Sequence, residues 1–297
     1  MKRIVYILTL LILSFTGVAK SQNIIEIEPL FEYPVAPEEM ESLQEKCNYL
    51  VKNFWNSFDF KKKSPVDQYA LNEAFKVYVT TFQFATAKEV EQSVDKMIKN
   101  LSGNQILLMQ FCKAAEESLY GPRADYWSDE TYLRFLDAVI KDKKISDNRK
   151  AKYIKQAQVL RESAIGNPAP KFWFQDSQRA SKQYFPMSTP TMLIFGYPDN
   201  TDWRLARLKM ESNYQLEDAL KQGKVNILFI IPEEIDNWQE EVSNYNTYWT
   251  VGQSNDVDKV YDLRFFPSIF IVDSNGKITD KNIDTQTAVS ELLNLVK

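Results

Sequence analysis

The sequence predicts a two-domain protein, an all-α helical bundle followed by an α/β domain. Three observations carry this. From residue 37 to about 165, apolar residues recur at helical spacing and no strand-period run of any length interrupts them. At Ile165-Gly166-Asn167-Pro168-Ala169-Pro170 a glycine and two prolines end the helical pattern. Beyond that point continuous apolar runs alternate with helical segments, the pattern of a mixed sheet flanked by helices.

The chain opens with Lys2 and Arg3, an apolar run from Ile4 to Val18, and small residues ending in Ala19-Lys20-Ser21. This is the layout of a cleaved signal peptide over residues 1–21. A membrane anchor needs about 20 apolar residues, and this run is shorter and already carries Thr9, Ser14 and Thr16. The first cysteine is Cys47, so no lipid-bearing cysteine follows the expected cleavage. The expectation is a periplasmic or secreted protein with no membrane attachment after cleavage.

Residues 22–165 read as the helical domain, with five or six helices. Pro37 suits a first helical turn, Ser64-Pro65-Val66-Asp67 reads as an N-cap followed by proline, and Thr86 to Glu89 has capping-box spacing. Ser128 and Ser146, each followed by Asp, are two further N-cap candidates. Stripes such as Leu71, Ala74, Phe75, Tyr78 and Phe82, then Tyr132, Leu133, Leu136, Val139 and Ile140, give the faces of a bundle. Trp55, Trp127 and Tyr153 read as core aromatics.

Residues 166–297 read as the α/β domain. KFWF (171–174) is a short strand, PTMLIFG (190–196) and KVNILFII (224–231) are buried strands, and one helix runs over 201–221 between them. A short helix around 235–245 follows, where Trp238, like Trp249 beyond it, is read as packing on the sheet. PSIFIVD (267–273), a turn at Ser274-Asn275-Gly276, an edge strand at 277–279 and a closing helix over 285–296 complete it. The Asn-Gly turn makes the last two strands an antiparallel hairpin.

Composition narrows the chemistry. The chain has 36 Lys and Arg against 40 Asp and Glu, a net charge of −4, and loss of Lys2, Arg3 and Lys20 with the signal peptide makes it more acidic. That balance argues against nucleic acid or an anionic membrane surface as partner, since clustered basic residues bind both. The Lys61-Lys62-Lys63 run reads as a solvated turn. There is no histidine, which removes imidazole triads, His-ligated zinc and the commonest general base near neutral pH. No motif calls for a cofactor. Asp199, Asp202, Glu233 and Glu234 supply oxygen ligands of the kind calcium takes, but their spacing matches no known loop, and solvated acids explain them.

The two cysteines, Cys47 and Cys112, both fall on apolar helical stripes and far from any C-x-x-C. Two readings stay open: a structural disulfide, as an exported chain with an even cysteine count invites, or two inert core thiols.

GNPAPKFWF, then PTMLIFGYPDN leading into a helix, then VYDLRFFPSIFIVDSNGKI resembles the thioredoxin-like fold of the TlpA and ResA type, over about residues 166–297. The stretch from Tyr261 to Asp273 is its most specific piece, being similar to the segment in which that family places a cis-proline before its fourth strand, so Pro267 is the matching residue. Proline opening a strand also fits its missing amide and its tolerance of a cis bond. With the signal peptide and APEEMESLQEKCNYLVKNFWNSFDF, the whole chain also resembles an uncharacterised family of exported bacterial proteins.

The resemblance implies a thiol pair at the head of the helix after Phe195, and counting by the family's spacing places its two cysteines at Asn200 and Trp203. A peroxiredoxin-like register, with Thr201 as the matching threonine, puts Arg204 at the cysteine. Neither register finds sulfur, and thiol exchange requires a thiolate there. Asp199, Asn200, Thr201 and Asp202 are good N-cap residues instead. In such folds the backbone beside the cis-proline pairs with an extended peptide, which needs no thiol. The expectation is a redox-inactive module binding an extended peptide or protein in a groove lined by Tyr197, Asn200, Trp203, Phe266 and Pro267, with a TlpA/ResA-type thiol-disulfide oxidoreductase, or a degenerate peroxiredoxin-like protein, as the alternative. Trp203, facing inward, would plug that groove.

Overall fold

The computed structural model describes residues 29–186 and 188–297. The expected signal peptide lies outside the described residues. Among the described residues six α-helices form the first region: α1 Leu43–Asn53, α2 Gln68–Thr80, α3 Ala87–Leu101, α4 Gln105–Ala115, α5 Asp129–Lys141 and α6 Asp147–Glu162. Their starts are set by side chains that satisfy orphan amides. Ser42 and Glu45 form a reciprocal capping box on α1. Asp67, rather than Ser64, caps α2 by accepting from the Ala70 amide at 2.7 Å, and Pro37 opens a turn instead of a helix. Thr86 and Ser128 cap α3 and α5. The bundle buries Leu71, Phe75, Tyr78, Phe111, Phe135 and Leu136 completely. A π-helical turn at Glu116–Tyr120 continues α4.

Cys47 and Cys112 are both buried free thiols, so the disulfide left open by the sequence is not formed. Cys112, on α4, sits in the bundle core, and Cys47, on α1, is buried outside that cluster. Burial pushes both thiols above their ordinary pKa.

The second region is a seven-stranded sheet in the order β2-β1-β5-β4-β3-β6-β7. Its strands are β1 Phe172–Gln175, β2 Ser181–Tyr184, β3 Thr191–Phe195, β4 Asn226–Ile231, β5 Thr250–Gln253, β6 Ser268–Val272 and β7 Ile278–Lys281. β3, β4 and β5 run parallel; the other pairings are antiparallel. Side chains alternate across the sheet: Met192, Ile194, Phe229 and Ile271 enter one core, and Leu193, Phe195, Ile230 and Phe270 the other. The first core is covered by α7 Thr201–Glu211, α8 Tyr214–Lys221 and α10 Thr285–Asn294, with the short α9 Trp238–Ser243 at its edge.

Three local results differ from the sequence reading. The single helix expected over 201–221 is two, because Asn213 accepts from the Leu216 amide at 2.9 Å and restarts the chain as α8. The edge strand β2 went unread because Ser-Lys-Gln-Tyr carries no apolar run. β5 went unread because its centre is Gly252, where a Cβ would lie 2.4 Å from the Phe174 ring. Trp127, read as core, is instead partly exposed, whereas Trp55 and Tyr153 are buried.

Candidate functional site

The candidate site lies where β3 ends and α7 begins, facing the loop before β6. Gly196 follows β3, and a Cβ there would stand 3.3 Å from Phe229 and 3.7 Å from both Pro267 and Trp203. That close approach brings the α7 head and the proline loop together. The Phe266–Pro267 peptide is cis.

Asn200 is the N-cap of α7, and its side-chain oxygen accepts from the Trp203 amide at 2.9 Å. The two positions that match the family's thiols are thus joined as cap and third helical residue. Trp203 is fully buried. Its ring stacks on Phe229 with centroids 4.1 Å apart and planes 4° from parallel, and its Nε1–H donates to the Tyr245 hydroxyl at 3.3 Å. Trp203 therefore does not line a surface groove, since inward stacking fills the space beneath the helix head. Of the remaining expected residues, Tyr197, Asn200, Phe266 and Pro267 are half-buried. Tyr197 meets Phe266 edge-on at 4.7 Å. Burial pushes the Tyr197 hydroxyl up, with Glu233, Asp258 and Asp199 adding to the shift. The Phe266 amide and carbonyl make no hydrogen bond to another described residue.

The loop before Pro267 also meets the helical region, through residues the sequence reading gave no role. Arg264 has a side chain only 1% exposed; it pairs with Asp262 and with Asp129, the first residue of α5. Its guanidinium lies 4.1 Å from the Tyr120 ring centre. Burial alone lowers the Arg264 pKa, but the bonds to Asp262 and Asp129 outweigh it and raise the value. Burial likewise pushes Asp129 up, and the Arg264 and Lys281 charges outweigh that, holding the carboxyl below its ordinary value. Trp127 stacks on Phe265 with centroids 4.7 Å apart. The only sequence signals were an arginine inside an apolar, aromatic segment and a tryptophan directly before an N-cap serine.

Among the described residues no group of three or more His, Cys, Asp or Glu side chains is placed to hold a metal ion, and Asp199, Asp202, Glu233 and Glu234 are all exposed. No described helix is long and apolar enough to cross a membrane.

Comparison with solved structures finds a thioredoxin-like protein from Bacteroides caccae at 17% identity and a TM-score of 0.73, covering 90% of this chain and 99% of that one. The thioredoxin domain of a thiol-disulfide oxidoreductase from Bacteroides vulgatus matches at 20% identity and a TM-score of 0.40, over 45% of this chain and 99% of that one. A conserved protein of unknown function from Bacteroides fragilis matches at 21% identity and a TM-score of 0.41, over 44% and 99%. No curated protein matches the chain. The Bacteroides caccae likeness establishes the fold: an all-α helical region followed by an α/β thioredoxin-like region. Residues 14–163 match the family described as a domain of unknown function, DUF5106, and the chain belongs to that family.

Proposed function

We propose that this chain is an exported, redox-inactive thioredoxin-like protein that holds an extended polypeptide at its cis-proline loop. The observation that carries the redox part is the Asn200–Trp203 hydrogen bond, which puts a cap and a buried indole where a thiol pair would stand. Electron transfer from that place requires a thiolate at the helix head, and both thiols of the chain are buried in the helical region with raised pKa values. These observations argue against the oxidoreductase alternative.

Support for polypeptide binding comes from the main chain. Phe266 carries an amide and a carbonyl with no partner among the described residues, the pair an extended segment uses when it adds as a strand. The half-buried rings of Tyr197 and Phe266 lie beside it as apolar contacts. Support for export is the basic, apolar and small-residue succession over residues 1–21.

The test is titration of the chain without residues 1–21 against fluorescein-labelled, carboxymethylated α-lactalbumin, a permanently unfolded probe, by anisotropy. Saturable binding that persists after both thiols are alkylated is expected, with Phe266→Ala weakening it. No binding with a Kd below about 1 mM refutes the reading.

A further inference from the structure

The loop before Pro267 is anchored across the two regions, and its anchors stop one residue short of the unpaired main chain. Arg264 Nε donates to Asp262 Oδ2 at 2.8 Å, and its guanidinium also reaches Asp129. The Tyr120 hydroxyl donates to Asp262 at 3.2 Å, and Lys281 Nζ lies 2.6 Å from Asp129. At the next position Phe265 is covered by Trp127, whose own Nε1–H is held by the Gly121 carbonyl at 2.9 Å. The Phe265 carbonyl accepts from the Ser268 hydroxyl. Then comes Phe266, with neither its amide nor its carbonyl bonded to another described residue.

A buried ion pair is weak evidence for stability, because desolvation offsets its attraction. Geometry is the better account of this one, since a planar guanidinium fixed on two carboxylates and an aromatic face holds a single orientation. We infer that Arg264 is a positioning residue: with Tyr120, Trp127 and Asp129 of the helical region it sets the cis-proline loop so that the Phe266 main chain is presented to an extended polypeptide. The loop is then ordered during folding rather than during binding, which is how preorganisation raises affinity. The helical region thereby becomes part of the site. This rests on the polypeptide-binding reading above.

The test uses the chain without residues 1–21 and the same labelled α-lactalbumin, read by anisotropy and by calorimetry. Arg264→Met is expected to weaken binding about tenfold, with the loss in binding entropy, while far-UV circular dichroism is unchanged. Arg264→Lys is expected to recover part of the affinity, because it keeps a charge for Asp129 but not the two-sided fork. Asp129→Asn, which leaves the Arg264–Asp262 pair in place, serves as the second variant where Arg264→Met does not fold. Wild-type binding with variants within twofold of it overturns this inference and leaves the polypeptide-binding reading standing. Tighter binding by the variants also overturns it, since the helical region would then block the loop. A wild-type chain that does not bind overturns both.

Discussion

At residue scale the head of α7 is built on Asn200 and Trp203, which share one hydrogen bond of 2.9 Å. Asparagine at an N-cap satisfies an orphan amide and is worth about 1 kcal/mol, and an indole stacked 4.1 Å from Phe229 is core. Their expected mutational effects therefore differ in size. Trp203→Ala is predicted to cost about 3–5 kcal/mol and Asn200→Ala about 1 kcal/mol, both measured by urea unfolding. A Trp203→Ala loss under about 1 kcal/mol would mean that the indole is not packed as described.

At the scale of elements, the α7 head and the proline loop are legible in the sequence, and the clamp between regions is not. Phe195, Asn200 and Pro267 lie in continuous local patterns: an apolar strand, a run of cap residues, a proline opening a strand. Asp129 and Arg264 are 135 positions apart, and a charged side chain paired at that separation leaves no periodic trace. β5 escaped for a similar reason, because its central Gly252 answers to Phe174 on a distant strand. The inward turn of Trp203 follows from its place as the third residue of α7, whereas nothing local in the sequence brings Tyr197 edge-on to Phe266.

The clamp also has a pH signature. Arg264 and Lys281 hold the Asp129 carboxyl below its ordinary value of 3.8. A depressed carboxyl stabilises the fold above its unfolded pKa and loses that contribution as pH falls through the folded value. Thermal stability is thus predicted to fall below about pH 4, and Asp129→Asn to make that acid loss shallower, as followed by circular dichroism. An acid limb unchanged by the substitution would show that Asp129 is not charged in the folded protein.

At the scale of the whole molecule, the helical and sheet regions meet through more than the Arg264 cluster. Lys155 of α6 lies 2.8 Å from Asp258, beside the loop that leads to Tyr261. The thioredoxin-like fold is thus kept, with its helix head capped by Asn200 and filled by Trp203 and its proline loop contacted from the helical region. Both thiols are buried in the helical region, Cys112 in the bundle core and Cys47 outside that cluster. The most direct measurement is insulin reduction driven by dithiothreitol, with and without the purified chain. The account predicts the same rate in both, and acceleration by the chain that disappears on replacing Cys47 and Cys112 would contradict it.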